Sequence, residues 1–101
     1  MIRVVATIHI KPGKVSDYLE IVKANVVNVR EEIGCVEYAA CVDSAADLPP
    51  QNIDGNVVTI IEKWESLEAL HHHLKTPHML AYREKVNDFV ESVSLKVLKE
   101  V

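Results

Sequence analysis

Hydrophobic spacing along this chain changes period several times, and the order of those periods limits the folds open to it. Residues 2–10 (IRVVATIHI) alternate, with Ile2, Val4, Ala6, Ile8 and Ile10 on one side and Arg3, Val5, Thr7 and His9 on the other. A period of two is that of a strand. Pro12-Gly13 marks a turn. Residues 14–33 switch to spacings of three and four. Val15, Tyr18, Leu19, Val22, Val26, Val29 and Ile33 form one helical stripe, and Lys14, Asp17, Glu20, Lys23 and Arg30 lie largely off it. Gly34 falls where a helix C-cap is expected, because glycine tolerates a left-handed backbone.

Residues 35–43 (CVEYAACVD) predict a second strand. The next stretch, AADLPPQNIDGN, has two prolines and Asp54-Gly55, and predicts an exposed loop, long enough for a lid or a partner contact. Residues 56–64 (NVVTIIEKW) are rich in β-branched side chains and predict a third strand. Ser66 is placed to cap a short helix through Leu74. Pro77 interrupts it, and a second helical piece is predicted over 78–90, with Met79, Tyr82, Val86, Phe89 and Val90 at helical spacing. Residues 92–98 (SVSLKVL) alternate again as a fourth strand.

The order β-α-β-β-α-β predicts an α+β, ferredoxin-like domain over residues 1–101: a four-stranded antiparallel sheet with helices on one face. The other face is then bare. Yet the third strand is apolar on both sides, with Val57, Thr59 and Ile61 opposite Val58, Ile60 and Trp64. An exposed apolar face marks an interface, so a homodimer closed sheet against sheet is expected.

With 101 residues, 49% hydrophobic and a formal charge of −4, the chain has ordinary globular composition. No apolar run approaches the roughly 18–20 residues of a membrane span. Phosphate contact needs concentrated Lys and Arg, so nucleic acid is not an expected partner. The N-terminus alternates polar with apolar and lacks a small-residue cleavage site, unlike a signal peptide. Cys35 and Cys41, on one strand, would stand roughly 20 Å apart, beyond disulfide reach. Free thiols and no signal peptide together point to the cytoplasm.

Four of the five histidines fall within residues 62–83. His71, His72 and His73 are consecutive on a helix, about 100° apart, and cannot converge on one metal ion. No metal site is expected. His73 lies at the edge of the apolar stripe, three residues after Leu70, and can look into a crevice between helix and sheet. That edge position predicts modest burial, and a partly buried histidine satisfied by a backbone carbonyl is its plainer reading beside a catalytic one. Glu62 and Trp64 share one face of the third strand, so Glu62 fits either a pocket acid or base or a rim ion pair. Tyr38 and Tyr82 offer hydroxyls to a polar aromatic ligand, or simply keep their tips in water. Asn25, beside the first stripe, is expected to be solvated. There is no GxGxxG, so no cofactor bound by such a motif is expected.

The segment IEKWESLEALHHHLKTPHMLAYRE resembles the signature of the antibiotic biosynthesis monooxygenase family: a strand, E-x-W, a short helix, then H-L-x-T/S-P-H. The upstream EEIGCVEYAACVD resembles that family's E-x-x-G-C-x-x-Y segment. Within the family, both are most similar to the small quinol monooxygenases. The resemblance implies a dimeric α+β barrel that oxidises an electron-rich phenol with molecular oxygen to a quinone, without cofactor or metal. It implies His73 or Glu62 as the catalytic base. Trp64 would be a platform on which the substrate stacks, where position alone also fits core packing, with Tyr38 and His78 as further substrate contacts; Tyr82 is a candidate substrate contact on its hydroxyl alone. The polyketide-oxidising branch carries an Asn-Trp pair that this chain lacks, so that substrate is not expected. Related isomerases of small phosphorylated carbonyl compounds, and a non-catalytic ligand-binding dimer, are the alternatives.

Overall fold

The computed structural model describes all 101 residues. Seven elements follow one another: β1 (Ile2–Ile10), α1 (Val15–Arg30), β2 (Cys35–Val42), β3 (Val57–Trp64), α2 (Leu67–Leu74), α3 (Pro77–Val86) and β4 (Val90–Lys99). The strands form one antiparallel sheet in the order β2-β3-β1-β4. This is the ferredoxin-like arrangement, with the second helical region split in two at Pro77.

Alternation in β1 and β3 decides which face the helices cover. Val4, Ala6, Ile8 and Ile10 of β1, with Val58, Ile60 and Trp64 of β3, are buried in one core with Tyr18, Val22, Val26 and Val29 of α1. Removing each such aliphatic side chain from water contributes roughly 1.5–3 kcal/mol. The opposite face carries Val5, Thr7, Ala39, Thr59 and Ile61, all half-buried with no helix above them.

Three boundaries differ from the sequence expectations. α1 stops at Arg30 rather than 33, and Ile33 is 92% exposed. The amides of Glu31 and Glu32 bond back to Asn28 and Val29, which tightens the last turn. Gly34, at φ +88°, then reverses the chain into β2. The helix expected over 78–90 ends at Val86, because the Phe89 carbonyl already accepts from Lys11 at the end of β1. Val90 pairs with Ile10, so β4 begins there and runs to Lys99.

The loop expected over 45–56 is irregular and largely exposed. It is tied to itself, with Gln51 bonding Ser44 and Asp43 accepting from the Asp54 amide. Cys35 and Cys41 are both free thiols of β2. No helix is long and apolar enough to cross a membrane.

Candidate active site

Two caps set the angle between the short helices. Ser66 Oγ accepts from the Ala69 amide and starts α2. Thr76 Oγ1 accepts from Met79 and donates to the His73 carbonyl, while Pro77 occupies the first turn of α3. One hydroxyl therefore ends α2 and begins α3. It also holds His73 in the last turn of α2, directed at the sheet.

His73 is 1% exposed, a correction to the edge position and modest burial read from periodicity. Its ring lies 4.5 Å from that of Trp64 and 5.5 Å from that of Tyr38. Its Nδ1 stands 2.8 Å from Glu32 Oε2, and Nε2 bonds no protein group. His78 Nε2 reaches the same Glu32 oxygen at 2.7 Å. Trp64 donates its indole N–H to Glu62 Oε1 at 2.9 Å.

A cavity of about 340 Å³ opens beside this cluster. His73, Glu62, Tyr38, Tyr82, Arg83 and Asn87 form its polar part, and Met79, Ile60, Val86 and Leu95 are among its apolar walls. It is open where no helix covers β4, leaving Val93 and Leu95 more than half exposed. The same face of these strands is a core floor under α1 and a cavity wall under β4.

Burial pulls the His73 imidazole below the usual histidine range, and the Glu32 carboxylate opposes that pull. Burial also pushes the Glu62 carboxyl up, against the indole bond that favours its ionised form. The two environments act in opposite directions, favouring the neutral form of His73 and the protonated form of Glu62. The Tyr38 hydroxyl is raised by burial.

The profile described as "Antibiotic biosynthesis monooxygenase" matches residues 1–85. The chain belongs to the antibiotic biosynthesis monooxygenase family. It is 37% identical over 101 residues to the protein named "Probable quinol monooxygenase YgiN" of Escherichia coli strain K12, covering 98% of this chain and 97% of that one. Among solved structures, PA3566 from Pseudomonas aeruginosa matches with a TM-score of 0.85 at 25% identity, over 99% of this chain and 93% of that one. Rv0793 from Mycobacterium tuberculosis matches with a TM-score of 0.83 at 27% identity, over 99% and 94%. Membership gives the coarse activity: the chain is a monooxygenase.

Several site residues are not where the family resemblance alone would put them. Trp64 is fully buried and does not line the cavity, so it is no platform for a substrate. Its ring backs His73 instead. His78 also stays out of this cavity. It lines a smaller one between α1 and α3, with Asn25, Asn28 and Lys85. Tyr82 lines the main cavity, but its hydroxyl is bonded to that of Tyr18 rather than lying free or in water. Asn25, expected in solvent, is buried and donates to Met79 Sδ at 3.2 Å.

Glu32 is the residue that sequence reasoning missed. It sits in the turn after α1, next to the exposed Glu31, and charge or spacing does not separate the two. The available signal was Gly34. A left-handed glycine just past a helix reverses the chain, and the reversal turns one of two neighbouring carboxylates inward.

Proposed function

We propose that this monooxygenase oxidises a quinol with molecular oxygen to a hydroxylated quinone, with His73 as the base and no cofactor. The observation that carries the reading is a neutral, buried imidazole whose Nε2 is unclaimed, at the polar end of an otherwise apolar cavity. The Escherichia coli relative, named a probable quinol monooxygenase, supports it.

His73 Nε2 takes a phenolic proton. The quinolate passes one electron to oxygen, which gives a semiquinone and superoxide. These combine through a new carbon–oxygen bond, and the peroxide takes the proton back from His73. Loss of water breaks the O–O bond and leaves a new ring carbonyl. Quinol plus oxygen thus gives hydroxyquinone plus water, and no outside reductant enters. Glu62, at the same end of the cavity, hydrogen-bonds the second quinol oxygen and keeps the ring fixed. The apolar walls hold the ring near the base and exclude water, which supplies proximity and orientation.

Against the isomerase, a phosphorylated substrate would need a cationic cradle. Arg83 is the one cation at this cavity, and its guanidinium already bonds the Leu74 carbonyl. The enzyme works in the cytoplasm as a homodimer, its bare sheet face meeting that of a second copy. Oxygen uptake with a panel of quinols, run beside an assay for isomerisation of phosphorylated ketoses, tests the activity. Stoichiometric oxygen loss with product mass increased by 14 supports it. Isomerisation without oxygen uptake, or neither reaction, overturns it.

A further inference from the structure

Glu32 is held by groups far from it in sequence. Its Oε2 lies 2.8 Å from His73 Nδ1 and 2.7 Å from His78 Nε2. Its Oε1 is buried and meets no polar partner. An ionised carboxylate only accepts, so both ring nitrogens facing it carry hydrogens. For neutral rings this sets the tautomers. His73 has its hydrogen on Nδ1 and a lone pair on Nε2, and His78 has the reverse.

We propose that Glu32, held between His73 and His78, is a positioning residue that fixes the His73 tautomer and ring so that Nε2 faces the substrate proton. The proposal rests on the reading of His73 as the base. Trp64 and Tyr38 pack against the imidazole but offer it no hydrogen bond, so packing alone does not distinguish the ring from its flipped form. The Glu32 bond does. The carboxylate also faces the imidazolium once Nε2 has taken a proton, in a site that otherwise disfavours charge. His78 gives the same Glu32 oxygen a second donor, from the side opposite His73 Nδ1. His78 is partly exposed and lines a different cavity, so it holds Glu32 from the side away from the substrate.

Around His73 stand Glu32 from the turn, Tyr38 from β2, Glu62 from β3, and His78 and Arg83 from α3. Of these, Glu32 alone bonds it. Glu32→Gln removes the charge and can present an N–H to Nδ1, which drives the hydrogen to Nε2. Turnover with the best quinol should fall on the order of 10²-fold, the scale for loss of an orienting partner, with KM little changed. The acid limb of the pH–rate profile should move to lower pH, because the imidazolium has lost its anion. A purely structural role would not move that limb.

Nitrogen NMR of histidine-labelled wild-type protein provides the second arm and needs no substrate. Above its pKa, His73 should show hydrogen on Nδ1 and a bare Nε2. The opposite tautomer overturns the proposal. So does a Glu32→Gln protein with wild-type turnover and an unmoved limb. If Glu32→Gln fails to fold, the wild-type tautomer decides. Absence of oxygen uptake with every quinol would sink the proposed activity and leave the tautomer to be judged by NMR alone.

Discussion

At the scale of single residues, the site depends on where two buried titratable groups hold their protons. His73→Ala should lower turnover by on the order of 10²–10⁴-fold, the usual contribution of a positioned base. It should also destabilise the protein by about 2–4 kcal/mol, since it opens a cavity against Trp64 and leaves Glu32 with one donor fewer. His72 is exposed one position away, and His72→Ala should change neither turnover nor the urea midpoint. The His73 pKa is lowered by burial, so the acid limb of the rate profile should lie below the ordinary histidine value of about 6.5. The unfolded chain binds the extra proton first. This histidine's contribution to stability is therefore present above about pH 6.5 and is lost as pH falls toward the folded pKa. Glu62 has the opposite sign, because its folded pKa is raised. Its contribution is present at low pH and is lost as pH rises through the folded value. Glu62→Gln keeps an acceptor for the Trp64 indole and removes the cost of ionisation. Its urea midpoint should exceed that of wild type at pH 8, and the gap should close near pH 4. A gap independent of pH would refute the shift.

At the scale of elements, the turn between α1 and β2 joins the two halves of the site. Gly34 sits at φ +88°, and a Cβ there would lie 2.6 Å from Ala69 Cβ on α2. Gly34→Ala therefore combines backbone strain with a contact that α2 can relieve only by moving. About 2–5 kcal/mol of lost stability is expected, from roughly 1–2 for the left-handed backbone and 1–3 for overpacking. Turnover should fall as well, because α2 carries His73 and the turn carries Glu32. Gly13 supplies the comparison. It has a similar φ of +82°, but nothing lies within 4 Å of its added Cβ. Gly13→Ala should cost about 1–2 kcal/mol and leave turnover intact. Equal effects at the two glycines, measured by urea midpoints and oxygen uptake, would remove crowding as the reason for Gly34.

At the scale of the whole molecule, the sheet has two faces with different histories. One is sealed by α1 and the short helices over β2, β3 and β1, and open over β4. The other has no helix, and at its centre Ile61 pairs with Val5 on one side and Ala39 on the other. A second copy covering that face would remove this apolar surface from water. Sedimentation at micromolar concentration should give about twice the 11.3 kDa chain mass. Ile61→Lys places a charge where no partner awaits it, and should shift the protein to a monomer. A monomeric wild type would end the sheet-to-sheet arrangement.

Much of this was present in the linear sequence, because strand and helix periods are local properties. The alternation of β1 and β3 determined their buried faces, and the stripe of Tyr18, Val22, Val26 and Val29 determined that of α1. The E-x-W and H-L-K-T-P-H segments determined the family and drew attention to Glu62 and His73. Tertiary structure decided what depends on direction and on distant partners. A period cannot say that Trp64 ends behind His73 rather than beside a substrate, because both positions lie on the same buried face of β3. Nor can it separate Glu32 from Glu31. That choice rests on the tight turn after Arg30 and the reversal at Gly34, which swing one carboxylate to histidines 41 and 46 residues away.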